Sequence, residues 1–149
     1  MARFLLDRGQ SSEARDVMAR AIAGGLDGAP VRSLMGLILH QLGDLSGCER
    51  ELRRAVRLAP DDGAALFALA SICFRLGDEA GAEDATRRAI AKGMDDVHSH
   101  QLLGRILNKQ GRFGEAEAAY RKAVRRDPSS PQAQRELAQL VWMLTGDLG

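Results

Sequence analysis

Apolar residues recur along this chain one helical turn apart, in pairs that themselves recur: Met35 and Leu39, Leu69 and Cys73, Leu103 and Leu107, Leu137 and Val141. A spacing of four puts both members of a pair on one face of an α-helix. The constant step of 34 residues from each pair to the next marks an internal repeat. Small residues repeat in the same register. Gly36, Ala70, Gly104 and Ala138 follow the first member of each pair. Ala14, Cys48, Ala82 and Ala116, then Ala21, Ala55, Ala89 and Ala123, recur further along. Small side chains at fixed places are what two helices need in order to approach closely.

The pattern predicts a helical hairpin in each unit. A first helix of about 13 residues meets a turn built on Gly43, Gly77 or Gly111, and a second helix ends near Leu58, Ala91 or Arg126. Full units span 29–62, 63–96 and 97–130, with a truncated copy over 1–28 and a partial copy or capping helix over 131–149. One large apolar position on the second helix reads Met18, Leu52, Thr86 and Tyr120, which predicts looser packing around Thr86. The unit boundary is written four times, as IAGGLDG, VRLAPDD, IAKGMDD and VRRDPSS. In VRLAPDD, Arg57 suits the negative end of the helix dipole, Pro60 stops the helix, and Asp61 and Asp62 can cap the next one.

These landmarks resemble the tetratricopeptide repeat: a 34-residue helix-turn-helix unit with a small residue after Leu, a turn Gly, alanines on the second helix and a closing Pro. The closing Pro is kept at Pro60 and Pro128 and replaced by Leu26 and Met94. The usual large aromatic early in the first helix is replaced by Arg32, Leu66, His100 and Gln134. The resemblance implies an all-α, right-handed superhelical solenoid of antiparallel helix hairpins, whose first helices line a concave groove. Counting Ala29, Gly63, Val97 and Pro131 as position 1, ligands of this family usually contact positions 2, 5, 6, 9, 12 and 13. Carried onto this chain, those positions offer Leu34, Leu37, His40, Phe67 and Phe74 toward the N-terminus. Toward the C-terminus they offer Arg75, His98, Gln101, Arg105, Asn108, Lys109, Arg135 and Gln139.

An apolar stretch followed by a basic, amide-rich one suits a peptide or partner helix with a hydrophobic anchor and an acidic end. The expected function is therefore a non-enzymatic protein-interaction scaffold. The chaperone-binding members of the family clamp a terminal carboxylate with Lys, Asn and Arg. The matching slots here hold Ser33, Leu37, Ala68, His98 and Leu102, so that clamp is absent. A second expectation comes from Arg135 to Gly149, which is similar to bacterial proteins whose repeats precede a dioxygenase-like or sulfotransferase domain; the array would then be the non-catalytic arm of a larger enzyme.

Composition narrows the alternatives. Hydrophobic residues at 45% and charged ones at 28% suit a folded chain, and a net charge of +1 gives no general attraction to nucleic acid or an anionic membrane. The basic runs at Glu49 to Arg57, Arg87 to Lys92 and Tyr120 to Arg126 lie in the later halves of second helices, the last two after Glu79, Glu83 and Asp84 or Glu115 and Glu117, as the helix dipole favours. Arg50 with Arg54 and Arg53 with Arg57 stack like charges that leave a weak phosphate-binding face as the lesser alternative. Cys48 and Cys73 occupy core positions of the repeat, without metal-ligand spacing. His98 and His100, two apart, cannot pair on one helical face and are expected at solvent and groove positions; His40 stands alone. No cofactor, metal or catalytic constellation is expected, and no apolar run is long enough to span a bilayer. Location in the cytoplasm is the default. Met1 falls at position 7 of a unit, which predicts a fragment of a longer protein. Phe4, Leu5, Val141 and Leu144 are then incompletely covered, and these cut ends would allow homo-oligomers.

Overall fold

The computed structural model describes residues 10–146. Among the described residues the chain forms eight α-helices: α1 (Ser11–Ala23), α2 (Ala29–Gln41), α3 (Leu45–Leu58), α4 (Gly63–Leu76), α5 (Glu79–Ala91), α6 (Val97–Lys109), α7 (Phe113–Arg126) and α8 (Pro131–Thr145). They pack as sequential antiparallel hairpins, α2 with α3, α4 with α5 and α6 with α7, each hairpin leaning on the next. Phe4 and Leu5 lie outside the described residues.

Local chemistry sets the helix ends. Gly43, Gly77 and Gly111 adopt φ of +80°, +84° and +77°, a left-handed conformation that a side chain resists, so each lets a first helix reverse directly into a second. Most helices open on a carboxylate or hydroxyl cap. Asp44 accepts from the Gly47 amide at 2.8 Å, Asp62 from Ala65 at 3.1 Å, Asp78 from Gly81 at 2.9 Å and Asp96 from Ser99 at 2.9 Å. Ser130 does the same for Ala133 at 3.3 Å. Each cap satisfies an amide that the helix itself leaves unpaired.

The core runs from hairpin to hairpin as three linked clusters. Ala14, Met18 and Ile38 join α1 to α2. Leu52, Leu66, Leu69, Cys73, Ala85 and Ile106 join α3 through α6, and Leu103, Leu107, Tyr120 and Leu140 join α6 through α8. Thr86 is fully buried. Its hydroxyl donates to the Ala82 carbonyl one turn back at 2.7 Å, which removes the cost of putting a polar atom there.

Position 4, where the family motif has its aromatic, is solved four ways. Leu66 is wholly buried. Arg32 forks between Asp27 at 2.7 Å and Glu51 at 2.9 Å, and those two bonds raise its already high pKa. His100 is buried at the junction of α5, α6 and α7. Its Nε2 lies 2.6 Å from Asp95, which also pairs with Arg126, so the expectation of a solvent or groove position is corrected for this histidine. Gln134 stays exposed and donates to the Pro128 carbonyl at 2.6 Å. At the far end Ala138, Trp142, Met143 and Leu144 are exposed and Val141 is half-buried, with no helix over that face among the described residues.

Candidate functional site

The first helices form one row along the repeat. α4 packs on α6 and α6 on α8. What differs along the row is the bulk of the side chains that face a neighbouring first helix. Positions 2, 6 and 9 of α4 are Ala64, Ala68 and Ser71, whereas the same positions of α6 are His98, Leu102 and Arg105. A pocket of ≈ 410 Å³ opens between α2 and α4. Its walls are Ser33, Leu37 and His40 on one side and Ala64, Ala68, Ser71 and Ile72 on the other. Cys48 and Leu52 of α3 form the floor. Leu37 is 46% exposed there, an aliphatic side chain facing open space rather than core. Asp62 and His40 mark the two ends.

A second pocket of ≈ 230 Å³ follows between α4 and α6, lined by Phe67, Ser71, His98, Gln101, Leu102, Arg105 and Gln132. Ser71 belongs to both, so the two make one continuous track with an apolar half and a polar half. All five residues at the family's clamp slots, Ser33, Leu37, Ala68, His98 and Leu102, line this track.

The sequence-predicted site residues divide accordingly. Leu37, His40, Phe67, His98, Gln101 and Arg105 come together on the track. Leu34 does not join them: it packs against Ala14, Met18 and Ile38, under α1. Phe74 packs on the central core, with the Lys109 ammonium 5.5 Å from its ring centroid. Asn108 and Gln139 line a smaller cleft with Tyr120, Glu136, Leu140 and Met143. Arg135 is exposed and makes no hydrogen bond or ion pair among the described residues.

The basic character expected of the C-terminal half is largely compensated within the chain. Arg105 Nε donates to Glu136 at 2.7 Å, and Gln101 donates to the other oxygen of the same carboxylate at 3.0 Å. Glu136 is only 14% exposed, so this carboxylate is held inward rather than left to solvent. Lys109 lies 3.4 Å from Glu79. Arg75 differs. Its Nη1 donates to His40 Nε2 at 2.5 Å, and no carboxylate pairs with it among the described residues.

The cysteines are buried, and burial pushes both thiols up to about 11, the direction opposite to a reactive thiolate. Cys73 shares a cluster with Glu49 and Asp78. The Arg53 guanidinium is already set among all three, at 2.9 Å from Glu49, 3.7 Å from Cys73 and 3.2 Å from Asp78. On the second helices, Arg53 and Glu49, Arg87 and Glu83, Arg88 and Asp84, and Arg121 and Glu117 form pairs one turn apart.

Ala64, Ser71 and Ile72, and Ala68 beyond its place in the missing clamp, are groove residues that the sequence did not single out as ligand contacts. The register does place three of them at positions 2, 6 and 9, but a small side chain is an absence of bulk and reads as packing until the facing helix is known. Glu136, at position 6 of its unit, was missed for a related reason. Position identifies a face and says nothing of the partner across it.

Hairpin after hairpin, each reversed on a left-handed glycine and presenting one track across its first helices, defines a helical-repeat protein. The repeat is the tetratricopeptide repeat: models of that family match residues 34–97 and 97–140, and the chain belongs to it. No curated protein matches the sequence. Among solved structures the fold is similar to that of MamA, at a TM-score of 0.92 and 19% identity, over 98% of this chain and 85% of that one. It is also similar to YrrB, described as a TPR protein with an unusual peptide-binding site, at a TM-score of 0.85 and 16% identity, over 97% and 74%. The first TPR of Spaghetti (RPAP3), solved with the HSP90 peptide SRMEEVD, superposes at 0.74 with 21% identity, over 78% and 92%. Among the described residues, no helix is long and apolar enough to cross a membrane.

Proposed function

We propose that this chain is a protein-interaction module that binds a linear peptide along the track on its first helices. The observation that carries the reading is the ≈ 410 Å³ apolar pocket between α2 and α4, continuous through Ser71 with a polar one. A concave site lined mainly by apolar side chains with a few placed polar groups is what a peptide anchor requires: burial supplies affinity, and the polar groups set register. The kinship of the fold with peptide-binding repeats points the same way. Gln101 and Arg105, held rigid by Glu136, offer fixed donors to a peptide backbone in the second pocket.

Ala68 is the residue on which the reading can be tested. It is partly exposed on the pocket wall, and leucine is a good helix former, so Ala68→Leu should fill the pocket while leaving the helix intact. A random linear dodecapeptide library panned on the immobilised protein is expected to yield binders that Ala68→Leu binds at least about tenfold more weakly, the loss of one buried side-chain contact. Circular dichroism of the variant should be unchanged. Binders indifferent to Ala68→Leu, or no enrichment over an unrelated protein, would refute the proposal.

A further inference from the structure

The apolar pocket has chemically different ends. At the start of α4 stands Asp62, whose carboxylate is engaged with the Ala65 amide as a helix cap. At the other end, where α2 and α4 finish, His40 lines the pocket and receives a hydrogen bond from Arg75 Nη1 at 2.5 Å. Arg75 has five N–H donors in a fixed fork. One is spent on a neutral imidazole acceptor, and among the described residues none is spent on a carboxylate. Asp44, whose field reaches Cys48 together with that of Arg75, is itself occupied by the Gly47 amide as the cap of α3. Lys109 has Glu79, and Arg105 has Glu136. Among the described residues, Arg75 is therefore the cation near this pocket without an acidic partner, and His40 fixes where its guanidinium sits.

We propose that the bound peptide seats one bulky apolar side chain in the α2–α4 pocket and presents the carboxylate of a neighbouring Asp or Glu to Arg75. This rests on the peptide-binding reading above and adds the chemistry of the ligand. The apolar side chain fits a pocket walled by Leu37, Ala68 and Ile72 over Cys48 and Leu52. Charge complementarity selects the neighbour: a guanidinium with free parallel donors recognises a carboxylate in two-pronged fashion, which a Lys or an amide at the same place would not. The carboxylate is that of a side chain, not of a chain terminus, because the slots at which the family clamps a terminal carboxylate hold Ser33, Leu37, Ala68, His98 and Leu102, none of them a Lys, Arg or Asn. His40 is a positioning residue. It touches Arg75, and its task is to keep the guanidinium at the pocket rim.

The peptides selected from the dodecamer library carry the test. They are expected to share a Leu, Ile, Met or Phe with Asp or Glu within about three residues of it, the reach of adjacent side chains along an extended peptide. Changing that acidic residue to its amide should weaken binding to the wild-type protein about tenfold. The same change should cost Arg75→Gln little, because the partner is already gone. His40→Gln, whose amide oxygen can still accept from Arg75, should keep affinity that His40→Ala loses. Binders that depend on Ala68 yet show no acidic enrichment, or an Arg75→Gln protein with unchanged affinity and unchanged sensitivity to the acidic residue, would overturn this inference and leave the peptide-binding reading standing. Binders indifferent to Ala68→Leu would overturn both.

Discussion

Replacing Leu66 with alanine is expected to lower the free energy of unfolding by about 2–5 kcal/mol, the range for emptying a fully buried aliphatic site. Leu66 sits in the first turn of α4 with no solvent exposure, in the cluster that joins α3, α4, α5 and α6. It stands where the family's motif has an aromatic, so its side chain alone fills a junction that a larger ring normally fills. Nothing nearby can close the gap cheaply, because its neighbours Leu69, Ala70 and Ala89 are themselves held in hairpin contacts. The equivalent truncation at Gln134, which is exposed, should change stability by no more than about 0.5 kcal/mol. Urea unfolding of the two variants, read by helical circular dichroism, checks the contrast. Similar midpoints for both would mean that position 4 does not join the hairpins.

The second large effect concerns how closely α6 approaches α7. A methyl group added at Gly104 would lie 2.6 Å from Cε1 of Tyr120, whose ring is buried. At the equivalent Gly36 the added carbon would meet Leu52 Cγ at 3.1 Å. Overpacking a closed interface costs about 1–3 kcal/mol. Replacing a helical glycine by alanine returns up to about 1 kcal/mol of backbone propensity. The tyrosine ring is rigid and cannot withdraw without turning the whole side chain, so Gly104→Ala should destabilise the protein by roughly 1–2 kcal/mol net. The leucine can shift by a few tenths of an ångström, so Gly36→Ala should be close to neutral. Combining Gly104→Ala with Tyr120→Leu should cost less than the sum of the two single changes, as expected of residues in contact. Thermal unfolding of the four variants measures this directly, and additive losses would show that the close approach is not what requires glycine.

The two effects mark how far the primary structure could be read. Periodicity, turn glycines and capping carboxylates are local, and each is visible within a few residues; Gly77 and Asp78 together announce where α4 ends and α5 begins. The face proposed for binding followed from register together with the family resemblance. What register could not reveal was pairing across about one unit of separation. Arg105 and Glu136 are 31 residues apart, and Gln101 and Glu136 are 35 apart. Only the packing of α6 on α8 makes them partners, and it converts an apparently basic surface into a mostly neutral, ordered one. His100 carries the same lesson. As one half of a His-Ser-His run it looked like a surface residue, whereas helix packing turns it inward onto Asp95, whose carboxyl is held below its usual range by His100 and Arg126. The open pocket was the hardest feature to see, because it is made by Ala64, Ala68 and Ser71 lacking bulk where α6 has it.

On the proposed function, a peptide binds along the track from Leu37 to Arg105. Amide chemical shifts of the uniformly ¹⁵N-labelled protein, followed while a library-selected peptide is titrated to saturation, test it most directly. The largest changes are expected at Leu37, Ala64, Ala68, Ser71 and Ile72, extending to Gln101 and Arg105, with the second helices nearly silent. Changes concentrated instead at Arg50 and Arg57 of α3 or Lys122 and Arg125 of α7, with the α2–α4 pocket undisturbed, would contradict it.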